Sequence, residues 1–600
     1  MIEDGSAGGR RGVCCPDRVK NDITIQISDF KFDDIATATS VSVDDVSNFI
    51  GSRILLDSVG GKSPSPDDGA ELDEAEAFHL QFNRPVSDSL FIDQRARDLL
   101  RTASGLQADN ALSSAEAGIG LRMFDSDSSQ AIDDICPWTP APRCGSGSGG
   151  ATYRALDGTC NNLREGNYGR AMTPYQRILL PEYGDGTIHL PRRSRSGNVE
   201  LPSARQLSQR MTGDSNVADD IQTVLVMQMG QFVDHDLTST PTSSSKCCTK
   251  ESSSTSFDGD KCFPIPIPED DRFWRGRKTC MSFARSLASP GLKCELQFRQ
   301  QMNQITHWLD GSNIYGSSDE AATQLRSFVG GKLKDTARSR RHGNSLPSCN
   351  RQRDPDEIPM CRDCKTCFIA GELNVTSKVT SIITHRPLHT FISGDSRANE
   401  QINLAVMHTI WMREHNRIAS DLRKLNPSWD DEKLYQEARR INVAQYQHIV
   451  YKEWLPLVLG HDFMDKFGLW PLSKGYSDAY MDTFDPRITN EFAAAAFRFG
   501  HSLIPDVFKR VPQSGTVGGQ QGRTAALSMK DVFFKPDALR TNGGEFICVM
   551  LLPLPADSAC WRRLTMVAGA RRGRERSEEN GNKTLSPFFI SFSFHLSYVR

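Results

Sequence analysis

Apolar residues recur at helical spacing in three long stretches of the chain. In Asp220–Thr238, the residues Ile221, Leu225, Met229 and Val233 fall on one face and the pattern stops before Pro241, which predicts a helix. Asn403–Leu425 repeats Leu404, Met407, Trp411, Ile418, Leu422 and Leu425 on one face and ends before Asn426-Pro427. Trp429–Val458 continues in the same manner, and strand-like alternation is scarce throughout, so the fold class is read as mainly α. Residues 1–130 are acidic and rich in Ser, Asp and Ala, with only short amphipathic stretches such as Ala96–Leu106. They read as a leader or poorly packed preface holding a helix or two. From Cys136 the texture changes to frequent Trp, Tyr, Arg and Pro, punctuated by turn pairs such as Asp157-Gly158.

Composition narrows the function classes. The 71 Lys and Arg balance 74 Asp and Glu to a net charge of -3, so no global field draws the chain to nucleic acid or anionic lipid. The longest apolar run, Phe546–Leu554, is far short of the roughly 18 to 20 residues of a membrane span. The opening MIEDGSAGGRRGVCC has no apolar stretch after its charges and does not read as a signal peptide. Most of the 16 cysteines nevertheless lie between Cys136 and Cys367 in loop-like contexts such as CPWTPAPRC, as in disulfide-bearing extracellular domains. The reading that reconciles these is an extracellular protein whose natural start is missing.

Two segments carry candidate chemistry. GQFVDHDLTSTP puts Gln231, Asp234 and His235 at i, i+3 and i+4, so an amide, a carboxylate and an imidazole share one helix face while Asp236 points aside. A histidine between two aspartates is more often a solvated or capping residue. Here the flanking helix is apolar, so a buried trio would need partners. THWLDGSNIYG spaces Thr306, Trp308, Asp310 and Ser312 two residues apart before a glycine-containing turn, a pattern of oxygens that could curl round a hard cation. Asp236 would bring a second carboxylate, enough to balance Ca2+. The alternative for this loop is a β-turn with ordinary Asx hydrogen bonding.

Together with YRALDGTCNNLREGNYGRAMTPYQRILLPEYGDG, SGDSRANEQINLAVMHTIWMREHNRIA and FDPRITNEFAAAAFRFGHSLIP, these segments resemble the animal haem peroxidases over about Cys136–Gly544. The resemblance implies a helical fold holding haem b and Ca2+, which reduces hydrogen peroxide and oxidises a halide, a phenol or a protein tyrosine. By that likeness His235 is the distal histidine, a general base and then a general acid. Arg397 is the distal arginine that stabilises developing negative charge. Gln231 orients distal water or halide, and Asp234 and Glu400 are the carboxylates that form ester links to haem. Gln401 stands where some members carry a methionine bonded to the haem, so that link is expected to be absent. His501 is the proximal iron ligand. Asp236, Thr306, Trp308 through its carbonyl, Asp310 and Ser312 are the calcium ligands. By contrast, Arg413-Glu414-His415-Asn416-Arg417 reads as a structural helix surface. Cys361, Cys364 and Cys367 read as disulfide partners rather than zinc ligands.

The chain departs from the family pattern twice. Residues 372–394 interrupt what would otherwise run as CFIAGDSRANEQ, immediately before Arg397 and Glu400. After Gly544 the resemblance stops, so the domain 131–544 is C-terminally incomplete and 545–600 is a non-homologous tail. The downstream asparagine that supports the proximal histidine in the family is missing, which is expected to loosen that ligand. Gly371-Glu372-Leu373 and Gly544-Glu545-Phe546 can each be encoded by GGTGAGTT, which contains a splice-donor consensus, so both segments read as translated intron. The alternative to a peroxidase is a secreted, haem-free binding or matrix protein built on the same fold.

Overall fold

The computed structural model describes residues 41–57 and most of 85–533; the longest stretches left undescribed within the latter range are 336–390 and 509–526. Among the described residues the helices are α1 (Val43–Asp57), α2 (Ser87–Asp109), α3 (Gln130–Ile135), α4 (Ala204–Met211), α5 (Val224–Leu237), α6 (Ser312–Tyr315), α7 (Asp319–Leu325), α8 (Ile402–Leu425), α9 (Asp431–Ile449), α10 (Leu455–Leu459), α11 (His461–Lys466), α12 (Asn490–Ala494) and α13 (Met529–Val532). Strands among the described residues are two-residue antiparallel pairs, Ile265–Pro266 with Cys280–Met281, Ala288–Ser289 with Gln300–Gln301, and Val507–Phe508 with Leu527–Ser528. The mainly α expectation therefore holds.

The three long helices expected from periodicity are present, and their ends follow local chemistry. α5 starts where the Thr223 hydroxyl accepts from the Leu225 N–H, an N-cap that satisfies one orphan donor of the first turn. α8 is capped by the Gln401 side chain, which accepts from Asn403 N–H, and it stops at Asn426 before Pro427. α9 is capped by Asp430 on Lys433 N–H. The expected continuation through residue 458 is interrupted by a π-helical turn at Val450–Trp454, where the Trp454 indole donates to Val226 O of α5 at 2.9 Å.

α5, α8 and α9 enclose the main core, in which Phe232, Leu404, Trp411, Tyr435 and Tyr446 are buried. The Phe232 ring meets Trp411 and Tyr446 in stacked and edge contacts, arrangements that aromatic quadrupoles favour. A second core joins α1, α2 and α3 to Cys294, Leu296 and Met302. Part of the acidic preface is thus packed: Leu99, Ala103, Leu106 and Leu121 are buried, and just beyond it a Cys136–Cys294 disulfide ties the chain across 158 residues. The pattern that reads as short and weak is one face of the 23-residue helix α2. Three further disulfides, Cys144–Cys160, Cys247–Cys262 and Cys248–Cys280, are present. Cys361, Cys364 and Cys367 lie outside the described residues.

The segment Arg413–Arg417 needs correction. His415 is buried, its two ring nitrogens engaged by the Tyr315 hydroxyl at 3.0 Å and Gly331 O at 2.9 Å. Asn416 accepts from Leu333 N–H and donates to Leu333 O. The helix surface expected there is the strip of Glu414, Arg417 and Asp421, which pair with one another.

Candidate active site

α5 delivers the trio that its spacing predicts. His235 and Asp234 are buried and Gln231 is half-buried on the same face. Asp234 accepts from the Thr238 hydroxyl at 2.8 Å and pairs with Arg498 at 2.5 Å. His235 Nε2 lies 3.7 Å from Glu400 Oε2, while its buried Nδ1 has no protein partner. Burial, reinforced by the nearby Arg397 charge, holds the His235 pKa well below the usual histidine value, so the ring is neutral near pH 7.

Opposite α5, a single 3-10 turn (Ser396–Asn399) and the start of α8 supply the remaining groups. Arg397 is buried and clamped by Asp395, with Nε donating to Oδ1 at 2.9 Å and Nη2 to Oδ2 at 2.6 Å. Nη2 also donates to His235 O at 3.2 Å, which fixes the guanidinium against α5. Burial acts against the charge on Asp395, but the Arg397 guanidinium outweighs it and the carboxyl pKa is lowered to about 2. Glu400 keeps 24% of its side chain open to solvent. Its enclosure among protein groups still pushes its pKa up to about 7, against the pull of Arg397. Amides bridge the two sides: Gln401 Nε2 donates to Gln228 Oε1 at 2.5 Å and Gln231 Oε1 at 2.9 Å, and Gln231 Nε2 donates to Glu400 at 3.3 Å.

Asp236 turns away from this trio, as its helical position requires. Its carboxylate accepts from Gly311 N–H at 3.1 Å and the Ser312 hydroxyl at 2.9 Å. Asp310 accepts from the Thr306 hydroxyl at 3.0 Å and from Ser312 N–H at 3.1 Å. Burial and the Asp310 charge raise the Asp236 pKa well above the carboxylate range, and burial moves Asp310 up to about 6. Two buried carboxylates with two hydroxyls make an oxygen-only donor set that suits a hard cation. Trp308 is half-buried, with Arg154 over its ring. Among the described residues no group of three or more His, Cys, Asp or Glu could hold a metal.

His501 sits in a different setting. It lies in a 3-10 segment, Ala496–Leu503, with no buried residue, and its own side chain is exposed. The Arg498–Asp234 pair ties this segment to α5. Partial burial and the Arg498 charge lower the His501 pKa, leaving a neutral imidazole available as a ligand.

Sequence reasoning missed Asp395, Arg498 and Gln228. Asp395 has a readable signal, since a carboxylate two residues before an arginine can cap a turn and hold the guanidinium together. Arg498 and Gln228 are placed by tertiary packing and had none.

A model of the family described as "Animal haem peroxidase" matches residues 153–558. The match runs past Gly544, where the motif-based likeness ends, into residues that lie outside the described ones. The chain is 35% identical over 429 residues to chorion peroxidase of Drosophila melanogaster, covering 69% of this chain and 48% of that protein. It is 37% identical over 370 residues to chorion peroxidase of Aedes aegypti, covering 60% and 43%. It is 35% identical over 415 residues to peroxidasin of Drosophila melanogaster, covering 65% and 24%. The chain thus spans about half the length, or less, of these relatives.

Proposed function

Because the chain belongs to the animal haem peroxidase family, we propose that it is a haem-dependent peroxidase which reduces hydrogen peroxide and oxidises a halide, a phenol or a protein tyrosine. The observation that carries this reading is the meeting of buried His235 with buried Arg397 and of half-buried Gln231 with Glu400 across two separate elements. The residues fit a haem. An imidazole with an unpartnered buried nitrogen, two carboxylates able to esterify ring methyl groups and a clamped guanidinium support this, and Arg498, three residues before the candidate iron ligand His501, pairs with one of those carboxylates, Asp234. Haem, when bound, supplies the redox chemistry of peroxide cleavage.

The protein's part is proton and charge handling. Neutral His235 accepts the proton of the attacking peroxide oxygen and returns it to the departing one, so that the second oxygen leaves as water. Arg397, pinned by Asp395, holds fixed positive charge where negative charge develops. Gln231, held by Gln401 and Glu400, orients water or a small anion on that side. Asp234 and Glu400 are the candidates for ester links to the haem. Asp236, Thr306, Trp308, Asp310 and Ser312 would hold Ca2+, and the cation would brace α5 one residue beyond His235. Four disulfides among the described residues favour an oxidising compartment, so we place the protein outside the cell.

The test is reconstitution of the purified chain with haem, followed by its visible spectrum. A Soret band that changes on adding hydrogen peroxide is expected. Failure to bind haem would instead favour a non-catalytic binding or matrix protein on the same fold.

A further inference from the structure

The interruption at 372–394 ends in four residues that are not foreign to the fold. Phe391 is buried in the main core, and its backbone is gripped by the buried Asn399 side chain, which accepts from Phe391 N–H at 2.6 Å and donates to Phe391 O at 2.8 Å. Ser393 shares a 2.7 Å hydrogen bond with Nδ1 of buried His408 and donates to Asn313 O at 3.3 Å. Gly394 lies so close to α6 that an added Cβ would sit 2.5 Å from Gly316 N, 2.6 Å from Ile314 C and 2.7 Å from Ser312 O. These are backbone atoms and cannot step aside. The slot therefore takes a buried aromatic residue at its first position and glycine at its last, with the Ser393 hydroxyl engaged between them. It also joins the turn carrying Arg397 to the helix carrying Ser312.

The same pattern occurs twice in the chain. Phe368-Ile369-Ala370-Gly371 stands 23 residues before Phe391-Ile392-Ser393-Gly394, and 372–394 is itself 23 residues long. Removing 372–394 would put Gly371 directly before Asp395 with Phe368 in register for the place of Phe391. We propose that Phe391–Gly394 is the positioning segment for the Arg397 turn in this chain, and that Phe368–Gly371 is its interchangeable counterpart when 372–394 is absent. The interruption preserves the site because it resupplies the tetrapeptide that it displaces. A translated intron is compatible with this, since a pyrimidine-rich acceptor can read as Phe-Ile-Ser-Gly. The two tetrapeptides differ at one position, and only the serine version offers His408 Nδ1 a hydroxyl.

The proposal is independent of haem, so its test reads thermal unfolding of the full chain and of a chain lacking 372–394. Gly394→Val in the full chain should lower the melting temperature by at least about 3 °C, while Gly371→Val should move it by less than about 1 °C. In the shortened chain Gly371→Val should become the damaging change. Milder exchanges guard against variants that fail to fold: Ser393→Ala should lower the full chain by about 2 °C and Ala370→Ser should leave it unchanged. Ala370→Ser should raise the shortened chain. Damage from Gly371→Val in the full chain, or neutrality of Gly394→Val there or of Gly371→Val in the shortened chain, overturns the proposal.

Discussion

The two histidines proposed to flank a haem stand in opposite surroundings. His235 is enclosed by α5, the Ser396–Asn399 turn and α8, and almost every polar group near it is paired: Arg397 with Asp395, Asp234 with Thr238 and Arg498, Gln231 with Gln401 and Glu400. His501 lies on an exposed segment whose described link to that network is Arg498. The difference separates two kinds of requirement. The distal groups must hold geometry and charge in a dry site, where small errors in position are expensive. The proximal imidazole has to be neutral and reachable. A site of this type can thus be fully built on one side while its other side depends on whatever covers it.

The largest test of that contrast is His235→Gln. If the buried imidazole moves the peroxide proton, the reaction of the haem-loaded protein with peroxide should slow by roughly 10²–10⁴-fold, with the Soret band retained. Rapid-mixing absorbance measures this, and a loss of less than about tenfold would remove His235 from its role.

Asp395→Ala comes next. It leaves the buried Arg397 guanidinium without its carboxylate, which should destabilise the fold by about 3–5 kcal/mol in denaturant titration. A change below about 1 kcal/mol would mean that Arg397 finds another partner and that the distal side is not the rigid one.

How far this arrangement can be read in advance differs from residue to residue. α5, α8 and the i, i+3, i+4 trio follow from a 3.6-residue period, and that period also carries Asp236 to the opposite loop. His415 was readable too: it falls four residues after Trp411 and three before Ile418, on the apolar face of α8, yet its charged neighbours suggest a surface. The packing of α2 was not legible, because its partners Leu296 and Met302 lie some two hundred residues away and local pattern carries no such information. The same holds for Arg498 and Asp234, 264 residues apart. The family likeness suggested the proposed roles, and geometry supplied what the likeness lacked, above all the Asp395 clamp and the tetrapeptide ahead of it.

A metal test sharpens the comparison on the distal side. Without a cation, native Asp236 and Asp310 hold protons above their ordinary value of 3.8, with Asp310 at about 6. The native state then binds more protons than the unfolded chain between about pH 4 and 6, so this pair's contribution to stability falls as pH rises through that window. Ca2+ should reverse the penalty. At a hundred times its dissociation constant it should add about 2.7 kcal/mol near pH 7, measured against a chelator. The gain should shrink by about 1 kcal/mol or more at pH 5, where protons compete for Asp310. Buried neutral His307, His408 and His415 have lowered pKa values and oppose this trend in absolute stability, but they are common to both samples and drop out of the difference. A pH-independent gain would show that the cation binds elsewhere.

The smallest expected stability change carries the sharpest contrast. His501 is exposed and its segment buries no residue, so His501→Ala should alter unfolding free energy by no more than about 0.5 kcal/mol. The same substitution should displace or remove the Soret band of reconstituted protein, because it takes away the proposed iron ligand. Haem retained with a normal band would assign the iron ligand to another residue. A loss of several kcal/mol would show that the proximal side is held together by His501 itself, and the division between a built side and an open one would fail.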